Sequence, residues 1–455
     1  MDECHLAELV SALPHGTVVT DLDVIEGYRA DMASLVPAGR PCAVVRPTTT
    51  TEVSTTLAWA CSTGTVVIPR GAGTGLSGGA TARNGSIVLS LERMNRIRQV
   101  DPRNHTVDVE AGVINADVTR ATAEFGLFYP PDPGSFEVST IGGNLATNAG
   151  GMRCVKYGVT RQSVLGLEVV LADGRVLRTG GQTVKNVAGL DLTQLMVGSE
   201  GTLGVITSAT LRVRPAPTVT GTFVASFPTL DQGSDGLERI FASGVTPSVL
   251  EILDRHTVNA VEDYQRMDLD RDAALLVIGQ TDGPAAATEA VRLAQACEAA
   301  GASLAVSTTE PEDAHLLMQA RRLAGWVVME SGPTVIEDVA VPRTRVGEML
   351  TRVEAISQAI GLPIATVGHA GDGNLHPMLR LPDHSEESRR MALDAADRIC
   401  AAAIELDGTI TGEHGVGELK REHLHQQLDV TSLDVQSAIK NALDPTGILN
   451  PGRGF

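Results

Sequence analysis

Glycine recurs at positions 71, 73, 75, 78 and 79 within the stretch Pro69-Arg70-Gly71-Ala72-Gly73-Thr74-Gly75-Leu76-Ser77-Gly78-Gly79-Ala80. No helix or strand tolerates that density, because each glycine costs a helix interior about 1 kcal/mol and gives a strand nothing to pack. The β-branched run Thr65-Val66-Val67-Ile68 comes just before it, so the chain must leave a strand into a loop with exposed amides. Consecutive N–H groups turned inward form an anion-binding nest, and residues without Cβ let the backbone wrap a pyrophosphate closely. Gly71-x-Gly73-x-x-Leu76 misses the Rossmann spacing, and no Gly-Lys-Ser/Thr follows as a P-loop requires. A dinucleotide-phosphate loop of a different fold fits better than a ligand-free turn.

Two more small-residue segments follow. Pro130-Pro131-Asp132-Pro133-Gly134-Ser135 leads into Ser139-Thr140-Ile141-Gly142-Gly143-Asn144-Leu145-Ala146-Thr147-Asn148-Ala149-Gly150-Gly151, where a flat, bulky ligand can lie against backbone beside Ser, Thr and Asn. Gly198-Ser199-Glu200-Gly201-Thr202-Leu203-Gly204-Val205-Ile206-Thr207 ends in a β-branched strand. Before these, Ala43–Arg46 reads as a strand and Thr51–Ser62 as a helix. Arg214-Pro215-Ala216-Pro217 reads as a linker. Beyond it, strands are predicted near 220–227, 248–253, 273–279, 303–308, 334–341 and 363–368, and helices near 229–243, 285–300, 311–328, 343–360 and 386–406. That order suits an α+β arrangement with helices on one face of an antiparallel sheet. There is no internal repeat.

The C-terminal third carries a different chemistry. Gly368-His369-Ala370-Gly371-Asp372-Gly373-Asn374-Leu375-His376 is followed later by Gly412-Glu413-His414-Gly415-Val416-Gly417. Three N/O ligands with an open position suit a divalent metal that must also admit substrate, and a remaining histidine beside a ligand suits a general base. The first two imidazoles are too far apart for a helical HExxH pair, and the glycines between them argue against a helix. A tight loop between two short strands would bring both rings to one point. The plainer reading is a set of loop histidines with a solvated Glu-His pair.

At 455 residues the chain predicts two or three domains with ample core. A formal net charge of -19 argues against a nucleic-acid binder and disfavours an anionic membrane surface. The start, Met1-Asp2-Glu3-Cys4-His5, has no signal-peptide pattern, and no apolar run approaches the roughly 20 residues of a membrane span. A cytoplasmic protein without an integral membrane segment is expected. The six cysteines (Cys4, Cys42, Cys61, Cys154, Cys297, Cys400) are scattered, which predicts buried thiols and no iron–sulfur cluster.

The three loops and the two histidine motifs, in this order, resemble the FAD-linked oxidase family with its vanillyl-alcohol-oxidase, or PCMH-type, flavin domain. The branch most similar is the D-2-hydroxyacid dehydrogenases, which include the glycolate oxidase flavin subunit, D-lactate dehydrogenases and D-2-hydroxyglutarate dehydrogenase. The similarity runs from about residue 40 to Phe455 and closes on Leu443-Asp444-Pro445-Thr446-Gly447-Ile448-Leu449-Asn450-Pro451-Gly452. It implies an α+β fold: an N-terminal helical segment (1–37), a PCMH-type FAD domain of two α+β subdomains (38–216), a ferredoxin-like α+β cap (217–410) and a C-terminal segment (411–455) returning to the flavin domain.

The resemblance also implies a cofactor site. Arg70, Gly71, Ala72, Gly73, Thr74, Gly75, Leu76 and Ser77 would cradle the FAD pyrophosphate. Pro131, Asp132, Ser135, Thr140, Gly143, Asn144, Asn148, Gly150, Glu200, Gly201, Gly204, Ile206 and Asn450 would complete the flavin site. No histidine or cysteine lies between Arg70 and Ala80, so a non-covalent FAD is expected. His369, His376 and Glu413 would hold a divalent metal, usually assigned as zinc, with His414 as base and Arg321 as a carboxylate clamp. Where the hydroxyglutarate branch has a lysine and a threonine, this chain has Ile336 and Gly325, and Pro377-Met378 replaces a polar residue. That favours a small or apolar 2-hydroxyacid such as glycolate or D-lactate.

Reduced FAD would discharge to oxygen, a quinone, an electron-transfer flavoprotein or an iron–sulfur partner subunit, in a homodimer or a hetero-complex. Two alternatives are a flavin subunit of a multi-subunit glycolate oxidase that is poorly active alone, and a non-catalytic scaffold. A zinc hydrolase would leave the upstream glycine loops unexplained, and a non-redox enzyme of the alkyl-dihydroxyacetone-phosphate synthase kind fits the motifs less well.

Overall fold

The computed structural model describes residues 3–455, and the chain divides into two compact units. The first comprises residues up to 150, 158–216 and 413–455; the second comprises 151–157 and 217–412. Among the described residues no helix is long and apolar enough to cross a membrane.

In the first unit, Ala43–Val45, Ile87–Ser90 and Val67–Arg70 pair in parallel, with Val18–Val19 added antiparallel at the edge. The first 37 residues therefore give this sheet a strand as well as the helices Glu3–Ala12 and Leu22–Glu26. The helix Thr50–Thr63 covers the sheet. Its start is fixed by Thr49, which accepts from the Glu52 N–H, while Glu52 accepts in return from the Thr48 N–H; Gly64 closes it in the left-handed region. A second sheet of this unit is antiparallel: Ile97–Asp101, Thr106–Glu110, Val205–Arg212, Val164–Val170 and Val176–Gly180 in that order. The C-terminal segment joins the first sheet where Leu449 bridges Val67. Arg214–Pro215, read from sequence as linker, pairs with Leu127–Phe128.

The second unit is built on an antiparallel sheet in the order Leu304–Thr308, Thr220–Phe227, Leu275–Asp282, Val249–Asp254, Ile364–His369, Asn374–Arg380 and Thr334–Ile336, with Val339–Ala340 also on Asn374–Arg380. Most helices fall where periodicity put them, including Pro311–Glu330 and Glu386–Glu405. The helix Arg255–Tyr264 was not anticipated. It begins where a strand ends, because Asp254 both closes the strand and accepts from the Thr257 N–H as its cap. Residues 151–157, expected within the flavin domain, pack here instead: Lys156 pairs with Asp282, and the Tyr157 hydroxyl donates to the same carboxylate at 2.6 Å.

Candidate active site and cofactor site

In the second unit the two histidines sit on neighbouring strands of one hairpin. His369 ends Ile364–His369, and His376 lies in Asn374–Arg380, opposite Val367. Their rings meet edge to face at 5.2 Å between centroids. Both are buried. The next strand places Glu251 directly across from His369, and cross-strand neighbours share a face of the sheet. The His369 Nδ1 lies 2.8 and 2.9 Å from the two Glu251 oxygens, so the ring is turned with Nε2 away from them. Arg321, from the helix Pro311–Glu330, donates through Nε to the same carboxylate at 2.6 Å. Burial pushes the Glu251 carboxyl up, but the adjoining His369 and Arg321 outweigh it and hold it below the ordinary range.

A second buried carboxylate stands behind His376, with Asp338 Oδ1 3.6 Å from Nδ1. Asp338 accepts from Asn374 Nδ2 at 2.6 Å, from the Thr411 hydroxyl at 2.6 Å and from the Gly412 N–H at 2.8 Å. It thus fixes the chain immediately before Glu413. Neither Glu251 nor Asp338 was singled out from the sequence. The available signal was a carboxylate inside an apolar strand, as in Val249-Leu250-Glu251-Ile252-Leu253.

In the first unit the turn carrying Glu413 and His414 is tied to the glycine-rich loops. The Ser77 hydroxyl donates to the His414 carbonyl at 3.0 Å, and the Ser77 carbonyl accepts from the N–H groups of Glu418 and Leu419. Glu200 accepts from the Val416 and Gly417 N–H groups at 2.8 and 2.7 Å; burial raises its carboxyl pKa in spite of these bonds. Any side chain at Gly150 would collide with the Glu413 carboxylate.

The three loops also meet one another. A Cβ on Gly71 would strike the Thr140 hydroxyl, and Gly201 lies against Pro69. Asn450 Nδ2 donates to the carbonyls of Gly79 and Glu200 at 2.9 and 2.8 Å. Residues 41–180 match the FAD binding domain, and residues 216–453 match the FAD linked oxidases, C-terminal domain.

The chain belongs to the FAD-linked oxidases. It is 42% identical to the glycolate oxidase subunit GlcD of Bacillus subtilis, covering 91% of this chain and 89% of that protein. It is 36% identical to a D-lactate dehydrogenase of Archaeoglobus fulgidus, covering 94% and 95%. The fold matches substrate-bound p-cresol methylhydroxylase with a TM-score of 0.81 at 18% identity, over 100% of this chain and 97% of that one. The protein is accordingly an FAD-linked oxidoreductase with the α+β, PCMH-type fold.

The residues present fit the cofactor of such an oxidase. The loop from Gly71 to Leu76 is only partly covered, while the Asn144 Nδ2 and Ser139 Oγ are buried without a hydrogen-bond partner. Buried donors of this kind call for a partner, and a flavin bound against this segment would supply one. Several residues expected to touch FAD have other duties. Asn148 caps the helix Ile141–Thr147 and accepts from the Arg161 N–H at 2.9 Å, and Thr140 caps the other end of that helix. Arg70 folds beneath Gly73 and donates to the Ala30 carbonyl at 2.8 Å. The Glu200 carboxylate is committed to the turn after His414. The Ile206 side chain is in the core, and Gly204 packs on Val169. What these two offer a cofactor is backbone. Pro131 and Asp132 are buried, and Ser135 and Gly143 are partly covered.

Proposed function

We propose that this oxidase converts a small D-2-hydroxyacid, of the glycolate or D-lactate kind, to the 2-oxoacid. The observation that carries the reading is the His369–His376 pair, with Glu251 within hydrogen-bond distance of His369 Nδ1 and Asp338 3.6 Å from His376 Nδ1. A carboxylate hydrogen-bonded behind a histidine, as Glu251 is behind His369, is the arrangement that orients a metal-binding imidazole. His369 and His376, together with Glu413, would hold a divalent metal of the zinc type, which supplies charge stabilisation for the substrate oxygens when bound. FAD, held without a covalent link, supplies the hydride acceptor.

The chain's own residues do the rest. His414 takes the proton from the substrate hydroxyl, a task suited to an imidazole at neutral pH. Arg321 reaches Glu251 through Nε, so its terminal nitrogens can present a fork to the substrate carboxylate. Ile336 and Met378 face each other across two strands and offer no donor to a second carboxylate, which supports a small or apolar side chain on the substrate. The name of the Bacillus subtilis relative favours a second arrangement, in which this chain is the flavin subunit of a larger complex that passes electrons to a quinone, an electron-transfer flavoprotein or an iron–sulfur partner.

Anaerobic reduction tests the reading. D-lactate, L-lactate, glycolate and D-2-hydroxyglutarate are added separately while flavin absorbance is followed, with and without prior chelation. Bleaching by glycolate or D-lactate, abolished by chelation, is the expected result. Bleaching by L-lactate alone, or bleaching indifferent to chelation, contradicts it.

A further inference from the structure

Glu251 lies in an apolar strand and is fully buried. A carboxylate there is costly unless it is paired and hydrogen-bonded. Both its oxygens are engaged, by a ring from the adjacent strand and a guanidinium from the helix Pro311–Glu330. A charged trio is an expensive way to join two strands and a helix, since apolar side chains of the same volume hold as well or better. The geometry therefore points to a role in the reaction.

We propose that Glu251 is a positioning residue serving both halves of the active site. It keeps the proton of His369 on Nδ1, so that Nε2 is the free ligand atom, and it holds Arg321 by Nε, so that the terminal nitrogens face outward for the substrate carboxylate. One side chain thus sets metal affinity and substrate affinity together. This rests on the reading of His369 as a metal ligand and Arg321 as the clamp.

The test compares wild type with Glu251→Gln and Glu251→Asp. Zinc affinity is measured by chelator competition, the cobalt-substituted protein by its visible spectrum, and KM with the acid that bleaches wild-type flavin. An amide accepts from only one of its two ends, so Glu251→Gln is expected to keep its FAD, to weaken zinc binding by about 10–100-fold, to alter the cobalt spectrum and to raise KM. Glu251→Asp is expected to recover part of each. Wild-type zinc affinity and an unchanged cobalt spectrum in Glu251→Gln overturn the proposal while leaving the metal reading intact. A wild-type protein that binds no stoichiometric metal overturns both. If Glu251→Gln does not fold, nitrogen-15 histidine NMR of the metal-free wild type decides: Nδ1–H at His369 near pH 8 supports the proposal, and the Nε2–H tautomer overturns it.

Discussion

His414 shares a turn with Glu413, and its carbonyl is held by Ser77 of the glycine-rich loop. A base fixed in this way loses little structure when its ring is removed. His414→Ala is therefore expected to fold, stay yellow and lose about 10²–10⁴-fold in kcat; retention of more than a tenth of wild-type turnover in steady-state assay would remove the base from His414. The residues proposed for this chemistry stand out in the sequence because each motif is short and flanked by glycine. Their supports do not. Glu251 is 118 positions from His369 and 70 from Arg321, and only strand pairing brings them together. Asp338 likewise reaches Thr411 and Gly412 across more than 70 positions. A sequence shows such groups as isolated acids in apolar runs, with nothing to say whom they face.

The hairpin Ile364–Arg380 brings the two proposed ligands, His369 and His376, onto neighbouring strands. Gly373, with φ of 79°, makes its turn, and any Cβ there would collide with the Val341 carbonyl. Gly373→Ala should cost about 2 kcal/mol or more and lower metal content with it, measurable by urea melts and metal analysis; a wild-type melt would mean the turn relaxes freely. In the flavin unit, Glu110 anchors the strand Thr106–Glu110 to Arg96 at 2.7 Å. Burial would raise its pKa, but Arg96 and then Arg98 prevail and lower it. A lowered folded pKa adds stability above the unfolded carboxyl value near ~4.3, and that stability is lost as pH falls through the folded one. The stability gap between wild type and Glu110→Gln should thus be wide at pH 7 and narrow towards pH 3 in urea midpoints. Most strands and helices of the second unit followed their periodicity. The helix Arg255–Tyr264 did not announce itself, since Asp254 replaces the glycine or proline that marks most junctions.

At the scale of the whole molecule neither unit is one continuous stretch: the chain passes from one to the other after residues 150, 157, 216 and 412. The 151–157 insertion was illegible because its composition continues that of the flavin loop before it. The C-terminal return reaches furthest. Arg453 is buried, donates to the carbonyls of Gly78 and Thr81 at 3.2 and 2.7 Å, and pairs with Glu418 at 2.9 Å. Arg453→Met should loosen the glycine-rich loop and weaken FAD binding at least about tenfold, about 1.4 kcal/mol, read as flavin fluorescence released on dilution; unaltered retention would show that the loop holds its shape unaided. The brace lies 375 positions beyond Gly78, so the ribosome exposes the glycine loop long before the side chain that steadies it. At roughly 5–20 residues per second, the loop waits tens of seconds for its brace, so any hold on flavin that depends on Arg453 comes only after the intervening residues have been made.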